Sequence, residues 1–409
     1  MKERMEHLAA HRTRIMLGGI IILIAGALAL WHYAPSRDLS AHADDIIRAC
    51  EDALHRPTCY DEEIPKLMDT LSMEEAFTVT RLVQERDTSY WYCHVLGHNL
   101  SAREAAKDPS RWSEVIARCP VGMCSNGCLH GAFQERFREE TLSADEVEAL
   151  VPELREVCES SRDFTSLERA SCYHALGHLS MYITGADLHT SLEVCDRIAL
   201  RGERDWRQLC YDGAFMQIFQ PLEPEDIALV QDIAPATKRG ASALCAAFSG
   251  VRFASCHAES WPLYEDEILT PEGAVAFCGV LRARAGAEQN TRCLNALFNI
   301  LSSRFGFDGE TLASFCGALG GAERTQCFAN AASRMIETDY RLAEGAAALC
   351  ATAPEASRTR CFEELLFYST YNFHAGSDEW RALCEALPGE WRARCFEGDA
   401  SALAPQAYQ

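Results

Sequence analysis

Six residues of metal-ligand type recur in register within two similar blocks of this sequence. They are His94, His98, His130, His174, His178 and Asp212. The motif HVLGH that begins at His94 matches the motif HALGH that begins at His174, and CLHGAF at Cys128 matches CYDGAF at Cys210. Imidazole nitrogens and carboxylate oxygens are common ligands of divalent transition metals. We therefore interpret these residues as a candidate site for one or two divalent ions, with zinc and copper as the metals considered.

The spacing inside each histidine pair fits an α-helix. Residues four apart lie one above the other on a helix, so each pair would present two imidazoles on one face, and His130 or Asp212 could complete a set of three. Glycines are predicted to let neighbouring helices approach closely here: Gly97, Gly131, Gly177 and Gly213. The alternative interpretation is that these histidines cap helices or bond to neighbouring turns, and that HxxGH marks only tight packing.

Motifs for catalysis are weak in this chain. In the H-E-x-x-H pattern of metalloproteases a glutamate follows the first histidine, whereas Val95 and Ala175 occupy that position here. Glu135 is a possible base, but its counterpart in the second block is Gln217 or a neighbouring residue, so the carboxylate is not repeated. The sequence contains no Gly-rich phosphate loop, no G-x-S-x-G elbow and no C-x-x-C-H haem motif. His257 and His374 are out of register, and we predict that they are ordinary surface or cap residues.

Cysteines mark the helix-like segments that carry these side chains. The chain has 20 cysteines, and this even number favours an oxidising compartment and a disulfide framework. Eighteen of them form nine predicted pairs, each closely spaced across a turn between two helix-like segments: Cys50 with Cys59, Cys119 with Cys128, Cys158 with Cys172, Cys195 with Cys210, Cys245 with Cys256, Cys278 with Cys293, Cys316 with Cys327, Cys350 with Cys361, and Cys384 with Cys395.

The repeat of these pairs predicts the fold class. The second cysteines of the last four pairs, Cys293, Cys327, Cys361 and Cys395, are equally spaced. Their interval of about 34 residues is the period of stacked helical hairpins. We predict an all-α fold of disulfide-stapled hairpins forming an α-solenoid, with helix A ending at the first cysteine and helix B beginning at the second.

The C-terminal period is similar in length to that of tetratricopeptide and Sel1-like repeats. The signature positions of those repeats are absent from this chain, so the likeness implies no functional residue.

Two further features belong to the turns. Cys93 and Cys124 lie outside the nine pairs, and we predict a bridge between them that joins adjacent units; a zinc site of Cys93, Cys119, Cys124 and Cys128 is the alternative. An arginine also recurs three residues before the second cysteine, and we predict that its guanidinium ties the turn to acidic side chains of the next unit. These arginines are Arg56, Arg169, Arg207, Arg324, Arg358 and Arg392.

The N-terminal segment predicts a membrane anchor. Residues 15–33 are apolar and aromatic and follow a leader with more basic than acidic residues, so the N-terminus should stay in the cytoplasm and the bulk of the chain should be periplasmic or extracellular. A cleaved signal peptide, with Ala27-Leu28-Ala29 as processing site, is the alternative. The predicted organisation is a leader 1–14, an anchor 15–33, a linker 34–43, histidine-containing repeats 44–220, a connector 221–240, C-terminal repeats 241–400 and a tail 401–409.

Composition and architecture limit the function classes. The formal net charge of −22 argues against nucleic acid as a partner, because a polyanion would be repelled. Helical-repeat arrays mainly supply extended binding surfaces. We therefore expect a membrane-anchored binding or scaffold protein whose solenoid face takes a protein, peptide or polymer ligand, with a histidine-rich metal site in its N-terminal half. The alternative is a metal-dependent extracytoplasmic enzyme that uses the duplicated HxLGH block.

Overall fold

The computed structural model describes residues 38–137, 141–160, 163–201 and 204–398. Within these ranges the chain forms 22 α-helices and a single β-hairpin of two-residue strands, β1 (Leu200–Arg201) and β2 (Arg204–Asp205). The prediction of an all-α fold is thus confirmed. The predicted leader 1–14, anchor 15–33 and tail 401–409 lie outside the described residues. Every helix in the described ranges is too short or too polar to cross a lipid bilayer.

The helices follow one another as short hairpins along the chain. The N-terminal half contains α1 Leu39–Ala49, α2 Arg56–Glu63, α3 Met73–Arg86, α4 His94–Ala105, α5 Trp112–Ala117, α6 Gly127–Phe137, α7 Ala144–Ser160, α8 Ser166–Ile183, α9 Leu188–Ile198, α10 Arg207–Phe219 and α11 Pro224–Val230. The C-terminal half contains α12 Lys238–Cys245, α13 Gly250–Glu259, α14 Glu265–Ile268, α15 Pro271–Arg284, α16 Ala287–Arg304, α17 Gly309–Ala318, α18 Gly321–Thr338, α19 Ala343–Thr352, α20 Glu355–Asn372, α21 Asp378–Ala386 and α22 Gly389–Phe396.

Ten disulfides staple these hairpins. All nine predicted pairs are present, and the predicted bridge between Cys93 and Cys124 joins two adjacent units. Because Cys119 and Cys128 are bonded to each other, the alternative four-cysteine zinc site is wrong. A bridge that closes a loop of 10 to 15 residues stabilises the fold by roughly 3 kcal/mol in the chain-entropy model.

Helix B begins earlier than predicted. Cys172 lies in the second turn of α8, which begins six residues upstream at Ser166. The start is fixed by a capping box in which the Thr165 hydroxyl accepts from the backbone N–H of Glu168 and the Glu168 carboxylate accepts from that of Thr165. The prediction that helix B opens at the second cysteine was therefore wrong, because the cap and not the cysteine sets the boundary.

The recurring arginines mostly bind their own turn. Arg324 donates from Nε to the carbonyl oxygen of Leu319, 2.7 Å away, where helix α17 has just ended. Arg358 and Arg392 bond in the same way to carbonyl oxygens five residues earlier. Only for Arg56, which pairs with Asp87 at 3.1 Å, does the described structure bear out the predicted link to an acid of the next unit. Most of the other guanidiniums satisfy carbonyls left free at the end of helix A.

Two predicted connecting segments are partly helical. Helix α1 begins at Leu39, because the Asp38 carboxylate caps it by accepting from the N–H of Ala41, so the predicted linker 34–43 overlaps this helix. The predicted connector 221–240 contains α11, Pro224–Val230, whose first turn carries Asp226. This short helix matters for the site described below.

The C-terminal units return to the N-terminal ones. Helix α20 packs against α8, and the Arg341 guanidinium lies 3.5 Å from the Gln84 side-chain oxygen and 5.5 Å from the Trp91 ring centroid. In a solenoid each unit contacts only its sequence neighbours. The stapled helical hairpins are therefore confirmed, while an open solenoid is not.

Candidate metal centre

Three consecutive B helices bring the five histidines together. Helix α6 packs against both α4 and α8, and α8 also packs against α10. The four predicted glycines permit this: a Cβ on Gly131 would overlap the carbonyl oxygen of His98, and one on Gly213 would overlap that of His174. An added Cβ on Gly97 would lie 2.9 Å from the Cys128 backbone nitrogen. The prediction of close approach at these glycines is confirmed.

The first group of ligands is His94, His98 and His130. One ring nitrogen from each lies within 4.8 Å of the others. The Nε2 atoms of His94 and His98 are 3.1 Å apart, and the His130 ring centroid is 5.0 and 4.9 Å from the two ring centroids. The three residues are 7%, 4% and 5% exposed, so the group is closed to bulk solvent.

The second group repeats this arrangement on α8. The Nε2 atoms of His174 and His178 are 3.2 Å apart. The His130 ring centroid lies 5.8 Å from that of His174 and 5.4 Å from that of His178, so His130 stands between the two pairs. His178 is buried, whereas His174 is partly exposed.

Hydrogen bonds fix the ring protons of the first pair. His94 Nδ1 lies 3.2 Å from the carbonyl oxygen of Cys124, and His98 Nδ1 lies 3.0 Å from Gln134 Oε1. The Gln134 amide nitrogen in turn faces the Asp226 carboxylate at 3.5 Å, which fixes the amide orientation. Because both acceptors are oxygens, each Nδ1 carries the hydrogen and each Nε2 presents a lone pair.

The second pair has a matching outer layer. His178 Nδ1 lies 2.6 Å from Gln217 Oε1, and the His174 ring is hydrogen-bonded to the backbone of Leu209. The side-chain nitrogen of Gln217 is buried and has no hydrogen-bond partner among the described residues. No carboxylate of the described residues holds this amide as Asp226 holds Gln134, and its reversed orientation would place the hydrogen on His178 Nε2, where it can donate to His174.

Burial keeps the imidazoles neutral. Desolvation lowers the pKa of His94 to about 4, and it lowers the pKa of His98, His130 and His174 well below the usual value. The neighbouring imidazoles add to the effect, because a second positive charge would be repelled. The pKa of His178 is lowered by burial as well. Metal ions bind the neutral form, so the ligand-competent state is the one populated at physiological pH.

The geometry suits a cation between the Nε2 atoms of a pair. Two lone pairs 3.1 Å apart repel each other, and a buried acceptor without a donor costs about 1–3 kcal/mol. Nitrogen ligands at 2.0–2.1 Å in tetrahedral geometry are themselves about 3.3 Å apart. The pairs thus have the spacing of neighbouring ligands on one ion, and the structure brings five of the six predicted ligands together.

Asp212, the sixth predicted ligand, lies elsewhere. It lines a cavity of about 190 Å³ together with Glu259 and Arg292, on the side of α10 that faces α13 and α16. Burial raises the pKa of Asp212 to about 6, against the opposing effects of the nearby Ser255 hydroxyl and the Arg292 charge. The equivalent repeat position therefore does not place this carboxylate in the histidine group of the described structure.

The residues behind the histidines were not predicted from the sequence. Gln134 directly follows CLHGAF and Gln217 follows CYDGAF by two residues, so a signal was present but shifted by one position. Asp226 accepts from the Tyr182 hydroxyl and from the backbone N–H of Glu223, and nothing in the repeat pattern marks it. The proposed base Glu135 lines a different surface cavity, beside α2.

Comparisons with known proteins supply no role for this arrangement. No protein-family model, no curated protein and no solved structure gives a significant match to the chain. A function for the histidine cluster has to be argued from its own geometry.

Proposed function

We propose that this protein is a membrane-anchored, extracytoplasmic binding or scaffold protein whose histidine cluster holds a divalent zinc or copper ion. The observation that carries the metal part is the distance of 3.1 Å between Nε2 of His94 and Nε2 of His98. Both rings donate their Nδ1 hydrogen to oxygen atoms, so the two Nε2 lone pairs face each other, and a divalent cation satisfies both. His130 supplies the third ligand.

The burial of these ligands supports a structural ion. An ion held by His94 and His98 on α4 and by His130 on α6 would link two successive units at the point where glycines bring the helices together. Binding free energy at such a site stabilises the fold, because the unfolded chain does not preform it. The Asp226 carboxylate, behind Gln134, balances part of the charge of the ion.

The proposed scaffold role is supported by the helical-hairpin architecture and by the oxidising compartment that the disulfides indicate. Ten disulfides suit an oxidising space outside the cytoplasm, and residues 15–33 supply the anchor. The outer faces of the stapled hairpins then provide the surface for a protein, peptide or polymer ligand. An enzyme on the same histidines would need an open coordination position for water, which the burial of His94, His98 and His130 disfavours.

The metal content of the purified protein tests the proposal. The full chain is produced in an oxidising compartment, extracted in mild detergent, and analysed by elemental mass spectrometry with and without added zinc or copper. We expect a stoichiometric ion in the wild type and its loss in the His94→Ala/His98→Ala double variant. The control is His189→Ala, because that histidine is 74% exposed on α9. A wild-type protein that binds no metal after zinc or copper is added would contradict the metal proposal.

Membrane placement has its own test. Protease added to intact cells or to spheroplasts should digest the repeats from the outside and leave the N-terminal leader protected. Release of the whole chain by a carbonate wash would contradict the anchor.

A further inference from the structure

The cavity between α10, α13 and α16 has a volume of about 190 Å³, and none of the five clustered histidines lines it. We propose that this cavity binds a small apolar α-amino acid, with the ammonium group of the ligand beside Asp212 and Glu259 and its carboxylate beside Arg292. A cavity of about 150 Å³ admits benzene, and alanine or valine is of similar size. The inference is independent of the proposed metal site.

Two carboxylates in the cavity provide the place for an ammonium group. Asp212 and Glu259 both line the cavity, both are removed from water, and the charge of Asp212 acts on Glu259. The Glu259 carboxylate accepts one hydrogen bond, from the Gln220 amide nitrogen at 2.7 Å, which leaves further acceptor capacity. Two carboxylates in one poorly hydrated site repel each other. An ammonium group between them would relieve this repulsion and donate to both.

A guanidinium in the same cavity determines which kind of ligand fits. Arg292 lines the cavity, and its charge acts on Asp212. Its ion pair within the described structure is a contact of 3.9 Å with the exposed Glu288, so most of its N–H donors remain available for a carboxylate. A bare cation would be repelled by Arg292, and calcium would need six to eight oxygen ligands. A ligand that carries both charges satisfies both signs.

The rest of the lining suits the polar and apolar parts of such a ligand. The Asn299 Oδ1 atom is buried, and it has no hydrogen-bond partner among the residues that the structure describes. Since Asn299 also lines the cavity, a ligand N–H can satisfy this acceptor. Leu209, Leu281 and Ala258 supply an apolar wall for a short side chain.

A wide groove gives access to the cavity. This groove has a volume of about 990 Å³ and shares Gln208, Gln289 and Arg292 with the cavity as lining residues. The two glutamine amides bond to each other, at 2.7 and 3.2 Å. A ligand therefore has a route from the groove into the cavity past this amide pair.

Binding should be accompanied by proton release at mildly acidic pH. The titratable and charged groups that face the cavity are Asp212 on α10, Glu259 on α13 and Arg292 on α16. Burial raises the pKa of Asp212 to about 6 and that of Glu259 well above normal. A bound ammonium group favours the ionised carboxylates, so binding at pH 6 should release protons. A ligand held by apolar contacts alone would release none.

Calorimetric titration of the full chain in mild detergent tests the inference. The probes are L-alanine, L-valine and L-leucine, with N-acetyl-L-valine and L-valinamide as analogues that lack one charge each. We expect the free amino acids to bind and each analogue to bind about 10–100-fold more weakly than valine, because each leaves a charged group unpaired. Titration at pH 6 in two buffers of different ionisation enthalpy measures the released protons.

Matched variants locate the site. Asp212→Asn and Arg292→Gln should each weaken valine binding about 10–100-fold. Asp232→Asn and Arg239→Gln are the controls, because both residues are exposed, and they should bind valine like the wild type. Where a variant fails to fold, as judged by circular dichroism, the two analogues on the wild type decide. Dissociation constants above about 1 mM for all three amino acids, or equal binding of valine and both analogues, would overturn the inference.

Discussion

The Gln134 amide oxygen accepts the Nδ1 hydrogen of His98, and the Asp226 carboxylate behind it prevents the amide from turning over. The substitution Gln134→Leu keeps the volume but removes this acceptor. His98 can then take the other tautomer, in which Nε2 is protonated and cannot bind metal. We expect the affinity for the zinc ion held by His94, His98 and His130 to fall about 10–100-fold in a chelator-competition titration.

The matched control for this prediction is Gln231→Leu, because Gln231 is exposed beyond the end of α11. That variant should bind zinc like the wild type. If Gln134→Leu retains wild-type affinity, the amide does not orient the His98 ring.

The close packing of α8 and α10 at Gly213 gives a second prediction. A methyl group at Gly213 would overlap the carbonyl oxygen of His174, and neither backbone can yield without separating α8 from α10. We expect Gly213→Ala to lower the free energy of unfolding by roughly 1–3 kcal/mol, in the range of other overpacked sites. Thermal melts followed by circular dichroism measure the effect.

Gly279 offers the opposite case on another helix. It lies inside α15, and an added Cβ meets nothing within 4 Å. Gly279→Ala should therefore raise the free energy of unfolding by roughly 0.5–1 kcal/mol through helix propensity alone. Similar melting temperatures for the two alanine variants would mean that close packing at Gly213 is unimportant.

The features of this site that could be predicted from the sequence are those that repeat at a regular spacing along the chain. Four-residue spacing placed His94 and His98 on one helix face, and regular cysteine spacing predicted which hairpins are stapled. The direction of the Asp212 side chain could not be predicted in this way, because repeat register fixes the position on the helix but not the neighbours that attract the carboxylate, here Ser255 and Arg292. The contact between Arg341 and Gln84, 257 residues apart, leaves no periodic trace at all.

A third prediction concerns the bridge between Cys93 and Cys124. The turn after Cys124 is strained, because Cys124, Ser125 and Asn126 all have positive φ angles, of 49°, 46° and 60°. The bridge holds this turn so that the Cys124 carbonyl accepts from His94. In a Cys93→Ala/Cys124→Ala variant the turn should relax, and we expect zinc affinity to fall about tenfold or more.

The control for that variant removes a bridge far from the histidines, with Cys384→Ala/Cys395→Ala in the last hairpin. It should reduce thermal stability without changing zinc affinity. Equal losses of affinity in both variants would indicate a general loosening of the array and not a local effect on His94.

The cavity between α10, α13 and α16 gives a fourth prediction, on pH. Burial raises the pKa of Asp212 to about 6, above its ordinary value of 3.8. The folded state therefore binds this proton more tightly than the unfolded state, and stability is lost as the pH rises from about 4 through 6. Asp212→Asn removes the charge. We expect it to raise the free energy of unfolding by roughly 1–3 kcal/mol at pH 7.5 and to have little effect at pH 4.

Glu259 makes the expected gain larger, because its own pKa is raised well above normal by burial first and by the Asp212 charge second. Removing that charge from Asp212 relieves part of the repulsion on Glu259 above pH 6. Denaturant unfolding at pH 4 and pH 7.5 measures the difference, with Asp232→Asn as control because Asp232 is exposed. A stabilisation by Asp212→Asn of equal size at both pH values would exclude a buried charge as its cause, since only an ionised carboxyl carries the penalty.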